Sequence, residues 1–458
     1  MKSSRETHYT ILGLALLLVI VLWIGAYVRG GGSYVFPSTS LAAVPASLIL
    51  LVMTFALRKA DKRTQLIWCI FAIILLRSVQ LWKAGIDFRD ELRFIDQSRR
   101  LFEQGQFLGY LRYYPMNIPF AAVFYGLFSV WPDVEVFETL ALLVYPLLVL
   151  GYSFMASEIS KMKTYKGLSP PVIPAILFLP FAPTFSIIPT YYWPQLLGLV
   201  VLFFAVGSLL RLINTVPDRL RARLGVATAL SVVLVLTHSI SSALYILTVL
   251  FFWIASRDRL EKRILVTIGL ITTLAFAVAH LVEYWSIVQA LMQAVLGDAA
   301  AWRYLESYSF PDFGSVMQRG IPMTIAHTGF FLMVSVLVIA RAFGKIHHDE
   351  GLGSGSHRTS GSLSSRFRGL VRDPILASFI CFGAVAFLSA TFLGGNFLDP
   401  VRLIGWACLL ALPIVAPRTK FGAFITVVVL LFLFFLLVWT VNSPWGSPLG
   451  SSLNLNDG

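Results

Sequence analysis

"SVVLVLTHSISSALYILTVLFFWIAS", residues 231–256, is the stretch on which the fold turns. By hydropathy alone it is one apolar helix, long enough to cross a ~30 Å hydrocarbon core. The polar run Thr237–Ser242 interrupts it. One long helix would put Arg257–Arg263 on the opposite side of a membrane from the other basic loops. Two short helices turning near Thr237–Ser242 keep those charges together. Basic loops collect on the cytoplasmic side of multi-span proteins, so the two-helix reading is preferred. It leaves His238 at the turn. A polar turn at membrane depth is tolerated only when buried in protein or lining a wet cavity. His238 is therefore either a functional residue or a histidine that hydrogen-bonds a helix end.

The rest of the chain has the same character. Of 458 residues, 57% are hydrophobic and 13% are charged, and mean hydropathy is +0.78. These values lie far from the soluble range. Apolar runs predict about thirteen transmembrane helices, at 9–28, 40–57, 65–82, 134–156, 170–188, 194–213, 224–237, 240–256, 263–285, 321–343, 373–393, 401–416 and 420–441. The fold class is thus an all-α polytopic membrane protein. The first run, followed by so many others, reads as a retained span with the N-terminus in the cytoplasm. Basic residues then fall consistently inside: Lys2 and Arg5, Arg58–Arg63, Lys161–Lys166, Arg211–Arg223, Arg257–Arg263, Arg341–Arg372, and Arg418 with Lys420. That bias explains the +13 net charge without a nucleic-acid partner. Cys69, Cys381 and Cys408 lie in apolar runs with neither metal spacing nor a disulfide framework. The organisation is an N-terminal helix pair over 1–64, a transmembrane core over 65–343, a Gly/Ser-rich cytoplasmic linker over 344–372 and C-terminal helices with an external tail over 373–458.

The same bookkeeping keeps 113–131, "YYPMNIPFAAVFYGLFSVW", from crossing, because crossing would invert every later basic loop. It joins a long external loop, 83–133. That loop opens on "DFRDE", where Asp87, Asp90 and Glu91 stand at i, i+3 and i+4 and share one face of a helix. Crowded carboxylates at a membrane boundary serve as a general base or hold a divalent cation, Mg2+ or Mn2+, on Asp87 and Glu91. The alternative is a solvated helix whose acids pair with Arg89, Arg93, Arg99 and Arg100. Other external points carry weight too. "PTYYWPQLLG", 189–198, offers Tyr191, Tyr192 and Trp193 as a sugar-stacking surface or a membrane-interface belt. The loop 286–320, with Arg303, is a lid or a connector. "GGNFLDPVRLIG", 394–405, places Arg402 at the end of a short span. There it grips a phosphate in bidentate fashion, snorkels to headgroups or pairs with Asp399.

Taken together, "DFRDE", the following "YYPMNIPF" with Tyr114, the basic turn "SKMKTYKG" and the external Tyr-Tyr turn resemble the GT-C superfamily of membrane glycosyltransferases. The layout is similar to the catalytic subunits of oligosaccharyltransferases over residues 65–416. The resemblance implies a sugar donor on a polyprenyl phosphate or diphosphate. It implies a glycan, lipid or protein acceptor, and a site on the external face of the cell membrane. Within it Asp87 is the base, Asp90 and Glu91 orient it or hold the cation, and Arg402 offsets charge on the departing phosphate. His238 with Tyr191, Tyr192, Trp193, Arg303 and Tyr114 would contact donor or acceptor. "PTYYWPQ" lacks the family's second acidic motif, and no Trp-Trp-Asp motif in a soluble domain is present, which points away from transfer to asparagine sequons. Two other classes stay open: a polysaccharide polymerase or O-antigen-ligase-like enzyme, and a transporter or lipid flippase. Few intramembrane charges (Arg77, Glu283) and no visible repeat weigh against transport.

Overall fold

A computed structural model describes residues 63–71, 99–100, 103, 129, 134–162, 193–214, 220–297, 300, 328–339, 373–392, 400–415 and 429. Among these, every regular element is helical. They are α1 (Val134–Ser160), α2 (Trp193–Ile213), α3 (Leu220–Thr237), α4 (Ser239–Ala255), α5 (Arg259–Val295), α6 (Pro374–Phe392) and α7 (Pro400–Val415). Shorter helical stretches at 63–71 and Thr328–Ile339 pack on them through Trp68 and Phe330. Three helices, over Leu196–Ile213, Leu220–Thr237 and Arg259–His280, are long and apolar enough to cross a membrane. The spans expected at 9–28, 40–57, 170–188 and most of 420–441, and the non-crossing reading of 113–131, lie outside the described residues.

The surface of the bundle is apolar. Along α5, Leu270, Leu274 and Val278 are 66%, 68% and 74% exposed, and Phe387 of α6 and Val336 are similarly open. Such stripes are abnormal against water and normal against lipid. Inside, small residues let helices approach closely. A Cβ on Gly207 of α2 would meet the Phe154 ring of α1 at 2.5 Å.

Contacts fix the helix directions. Gly151 meets Phe203 and Phe204, Gly207 meets Phe154, and the Asn214 amide donates to Glu158 O (3.1 Å), so α1 and α2 run parallel. Arg223 donates to Arg211 O (3.3 Å) while Gly198 abuts His238, so α3 runs antiparallel to α2. Gly198 also abuts Ser241. Further along α2, Phe203 stacks on Trp406 (5.8 Å), whose Nε1 donates to Thr248 Oγ1 (3.0 Å). Hence α4 runs with α2, and α3 and α4 form the hairpin expected around Thr237–Ser242; α7 also runs with α2, since Arg402 acts on His238 while Trp406 lies further along. Val249 lies against Gly269, and Lys262 lies over the Trp253 ring, which sets α5 antiparallel to α4.

Two consequences follow. The described basic residues of α2, α3 and α5, Arg211, Arg221, Arg223, Arg259, Lys262 and Arg263, gather at one end, with Lys161 and Arg257. His238 and Arg402 stand at the other.

The core is braced by polar contacts where the sequence creates a need. Pro413 inside α7 has no N–H, so the carbonyl four residues earlier, Leu409 O, loses its helical partner. The Tyr152 hydroxyl of α1 donates to that carbonyl at 3.1 Å. Helix starts are closed by side chains as well. Asp258 Oδ1 accepts from the N–H of Leu260 (2.7 Å) and Glu261 (3.2 Å), and Asp373 Oδ1 from Ile375 (3.1 Å) and Leu376 (3.3 Å), each capping a helix start. Helix α5 runs on past the apolar span expected at 263–285 into the segment 286–320: it continues to Val295, and Gly297 just beyond has a φ of +94° that suits glycine. Polar residues such as Glu283, Gln289 and Gln293 lower hydropathy but are good helix formers, so the helix outlasts the apolar run.

Candidate functional site

The site is built around one extended residue. His238 has φ −159° and ψ 121° between α3 and α4, and it is 7% exposed. Its N–H still donates to Leu234 O (3.1 Å), closing α3. Beyond that point the helical ladder stops, and carbonyls at the end of α3 need other donors. Val235 O takes Nε2 of His280, on α5, at 3.0 Å. The Ser242 hydroxyl reaches both Leu234 O (3.1 Å) and His238 O (2.8 Å), and Thr237 Oγ1 donates to Val233 O (2.7 Å). On the α4 side, His238 Nδ1 accepts from the Ser241 N–H (3.2 Å) and lies 2.9 Å from Ser241 Oγ. The sharp turn is thus satisfied from three helices.

These partners fix the tautomers. A backbone N–H only donates, so His238 Nδ1 is an acceptor and the neutral ring carries its proton on Nε2. A carbonyl only accepts, so His280 carries its proton on Nε2 as well. His238 stands in the junction, outside the spanning segments. Burial first, then the positive charge of Arg402 and then His280, push its pKa below the ordinary 6.5, so the ring is neutral at physiological pH. The side chain is seated on glycine: a Cβ at Gly198 would lie 2.6 Å from His238 Cβ and 2.8 Å from Ser241 Oγ.

Arg402 occupies the first turn of α7, half-buried, close enough for its charge to bear on His238. The starts of α2, α4 and α7 share this end, and helix N-termini carry partial positive charge. An anion at this end would be favoured by the helix N-termini and by the Arg402 charge alike. A guanidinium in that setting grips phosphate or carboxylate by two parallel N–H bonds. The imidazole Nε2–H adds one more donor.

Of the residues singled out from sequence, His238 and Arg402 stand at the same end, near enough for the Arg402 charge to act on the imidazole. Trp193 is the first residue of α2, five residues before Gly198. Asp87, Asp90, Glu91, Tyr114, Tyr191, Tyr192 and Arg303 lie outside the described residues, as does the cation site expected on Asp87 and Glu91. Among the described residues no group of three His, Cys, Asp or Glu stands together to hold a metal ion. Sequence reading passed over His280 and Gly198. His280 did carry a signal, a polar ring inside the apolar run 263–285, and such residues are rarely idle. No protein-family model, no curated protein and no solved structure matches the chain.

Proposed function

We propose that this protein is a GT-C-type membrane glycosyltransferase. It moves a sugar from a polyprenyl-phosphate-linked donor to a glycan, lipid or protein acceptor on the external face of the cell membrane. One observation supports this most: Arg402, the neutral His238 and three helix starts share the end opposite the basic cluster. By the bias of basic residues toward the cytoplasm, that end faces out. A lipid donor keeps its chain in the bilayer and its phosphate at headgroup level, where this electropositive end lies.

The chemistry assigned to the chain's residues is as follows. Asp87 takes the proton from the acceptor hydroxyl as its oxygen bonds to the anomeric carbon. The bond from that carbon to the donor phosphate oxygen breaks, and its electron pair leaves with the polyprenyl phosphate. Arg402 offsets the charge that develops on that phosphate. His238 donates from Nε2 to donor or acceptor. Asp90 and Glu91 orient Asp87. A divalent cation, if held by Asp87 and Glu91, would supply further charge neutralisation at the phosphate.

The test uses membranes, a radiolabelled polyprenyl-phosphate sugar and an extract of acceptors. Asp87→Asn keeps shape and removes the basic oxygen, so turnover should fall about 10² to 10⁴-fold with donor binding nearly intact. Arg402→Ala should weaken donor binding, and Arg402→Lys should recover only part, since a point charge cannot make the bidentate fork. Wild-type turnover in Asp87→Asn would remove Asp87 as the base. Absence of any glycosylated product from the wild-type protein would remove the whole reading.

A further inference from the structure

We infer that the lipid-facing stripe of α5 binds an anionic phospholipid, with the headgroup phosphate between Arg259 and Arg263 and an acyl chain along Leu270, Leu274 and Val278.

The stripe is continuous. Arg259 and Arg263 are one helical turn apart and both exposed, and the same outward face carries on through Val266, Leu270, Leu274 and Val278. A rise of 1.5 Å per residue puts Leu270 about 10 Å from Arg263, and Val278 about 22 Å, the reach of an acyl chain running from headgroup level into a leaflet. The neighbouring flank marks that level. Trp253 is 39% exposed with Lys262 Nζ 5.7 Å from its ring, the amphipathic pairing favoured at a membrane interface. Ile254 and Leu250 continue the apolar wall on α4.

Charge complementarity selects an anionic lipid. The described acids at this end are turned to the chain's own needs. Glu158 holds Lys161 (2.7 Å), Asp258 caps α5, and Glu261 accepts from Ser256 Oγ (2.8 Å). The two guanidiniums face outward above an apolar track. A zwitterionic headgroup brings a compensating cation, whereas phosphatidylglycerol brings a net negative charge. The inference rests on the membrane reading of the bundle and not on the glycosyltransferase reading. It concerns the opposite end of the molecule from Arg402.

The full-length protein, purified in a neutral detergent, would be titrated with phosphatidylglycerol and, separately, phosphatidylcholine. Retained lipid is read by native mass spectrometry and thermal stability in parallel. The wild type should prefer phosphatidylglycerol. Arg259→Gln and Arg263→Gln should each lower that preference about 5-fold, and together about 30-fold, with stability in phosphatidylcholine unchanged. Arg221→Gln removes an exposed charge on α3 at the same end and should leave the preference within about 2-fold. Glycerol 3-phosphate, which has the phosphate but no chain, should not compete. Equal retention of the two lipids by the wild type would overturn the site. So would an Arg221→Gln effect as large as that of Arg263→Gln, which would mark a net-charge effect, or full competition by glycerol 3-phosphate.

Discussion

Gly198→Ala probes the seat of His238 directly. The added methyl would stand 2.6 Å from His238 Cβ, 2.8 Å from Ser241 Oγ and 3.1 Å from His238 Cγ. The Cβ of His238 is fixed to a backbone held by its own bonds to Leu234 and Ser242, so no rotamer change relieves the clash. Helix α2 and the α3–α4 turn have to separate by about 1 Å to restore ordinary contact, an overpacking that typically costs about 1–3 kcal/mol. Replacing glycine by alanine in a helix returns about 0.5–1 kcal/mol, so a net loss of up to about 2.5 kcal/mol is expected, and a deficit of about 1–3 kcal/mol against an unclashed Gly→Ala change. Gly225→Ala in α3 is the matched control, because its Cβ meets nothing within 4 Å. It should be neutral or stabilising. The assay is the midpoint for loss of the monodisperse peak after stepwise heating in mild detergent, with both variants beside the wild type. If Gly198→Ala survives to the same temperature as Gly225→Ala, the close approach is not a constraint and the seating of His238 on α2 is wrong. Under the proposed function the same displacement moves His238 relative to Arg402. Misplacement by about 1 Å can lower turnover by about 10²-fold, so Gly198→Ala should lose activity beyond its loss of stability.

Tyr152→Phe leaves Leu409 O without the donor that replaces Pro413, and should destabilise by about 1–3 kcal/mol; Pro413→Ala restores the helical N–H, so in the double variant most of that loss should vanish. His280→Ala strips the donor from Val235 O and should destabilise by a similar ~1–3 kcal/mol. Hydrogen exchange should then rise selectively at the α3–α4 junction, and uniform exchange would argue against the clamp. The lowered pKa of His238 carries a sign: the unfolded state takes up the proton first. Stability is therefore full above about pH 6.5 and declines as pH falls below it. Thermal midpoints between pH 7.5 and 5 should show this decline, and His238→Gln, which can still accept from the Ser241 N–H, should flatten it.

Helix positions were legible where an apolar run meets a hard boundary. Pro374 and Pro400 open α6 and α7 within a residue of where the sequence puts them, because each proline stands at a permitted first position. The break at His238 was legible because Thr237–Ser242 is polar inside an apolar run. The length of α5 was not, since hydropathy measures fit to lipid and a helix needs no lipid to continue once nucleated. Pairings across distance were beyond reach for a different reason. That His280 would meet Val235, or Gly198 meet His238, depends on how three helices register against one another, and no local pattern encodes that. Arg402 stood out because a charge at the end of an apolar span is expensive without a role. That it would share one end with His238 was expected from the placement of the basic loops; the parallel setting of α2, α4 and α7 that puts them there was not.

The length of α5 shapes access to the His238 end. Its 37 residues make a rod about 55 Å long, some 25 Å more than a bilayer's hydrocarbon thickness. His280, the point at which α5 clamps the turn, marks the end of its apolar window. From there to Val295 another ~22 Å of helix stands up beyond the turn. On that side of the His238 turn, α5 therefore stands as a tall wall. Under the proposed function, a bulky acceptor would meet α5 from above and come in from the flanks, whereas a donor held in the bilayer would enter from beneath. In that reading, the height of this one helix separates the approach routes of donor and acceptor.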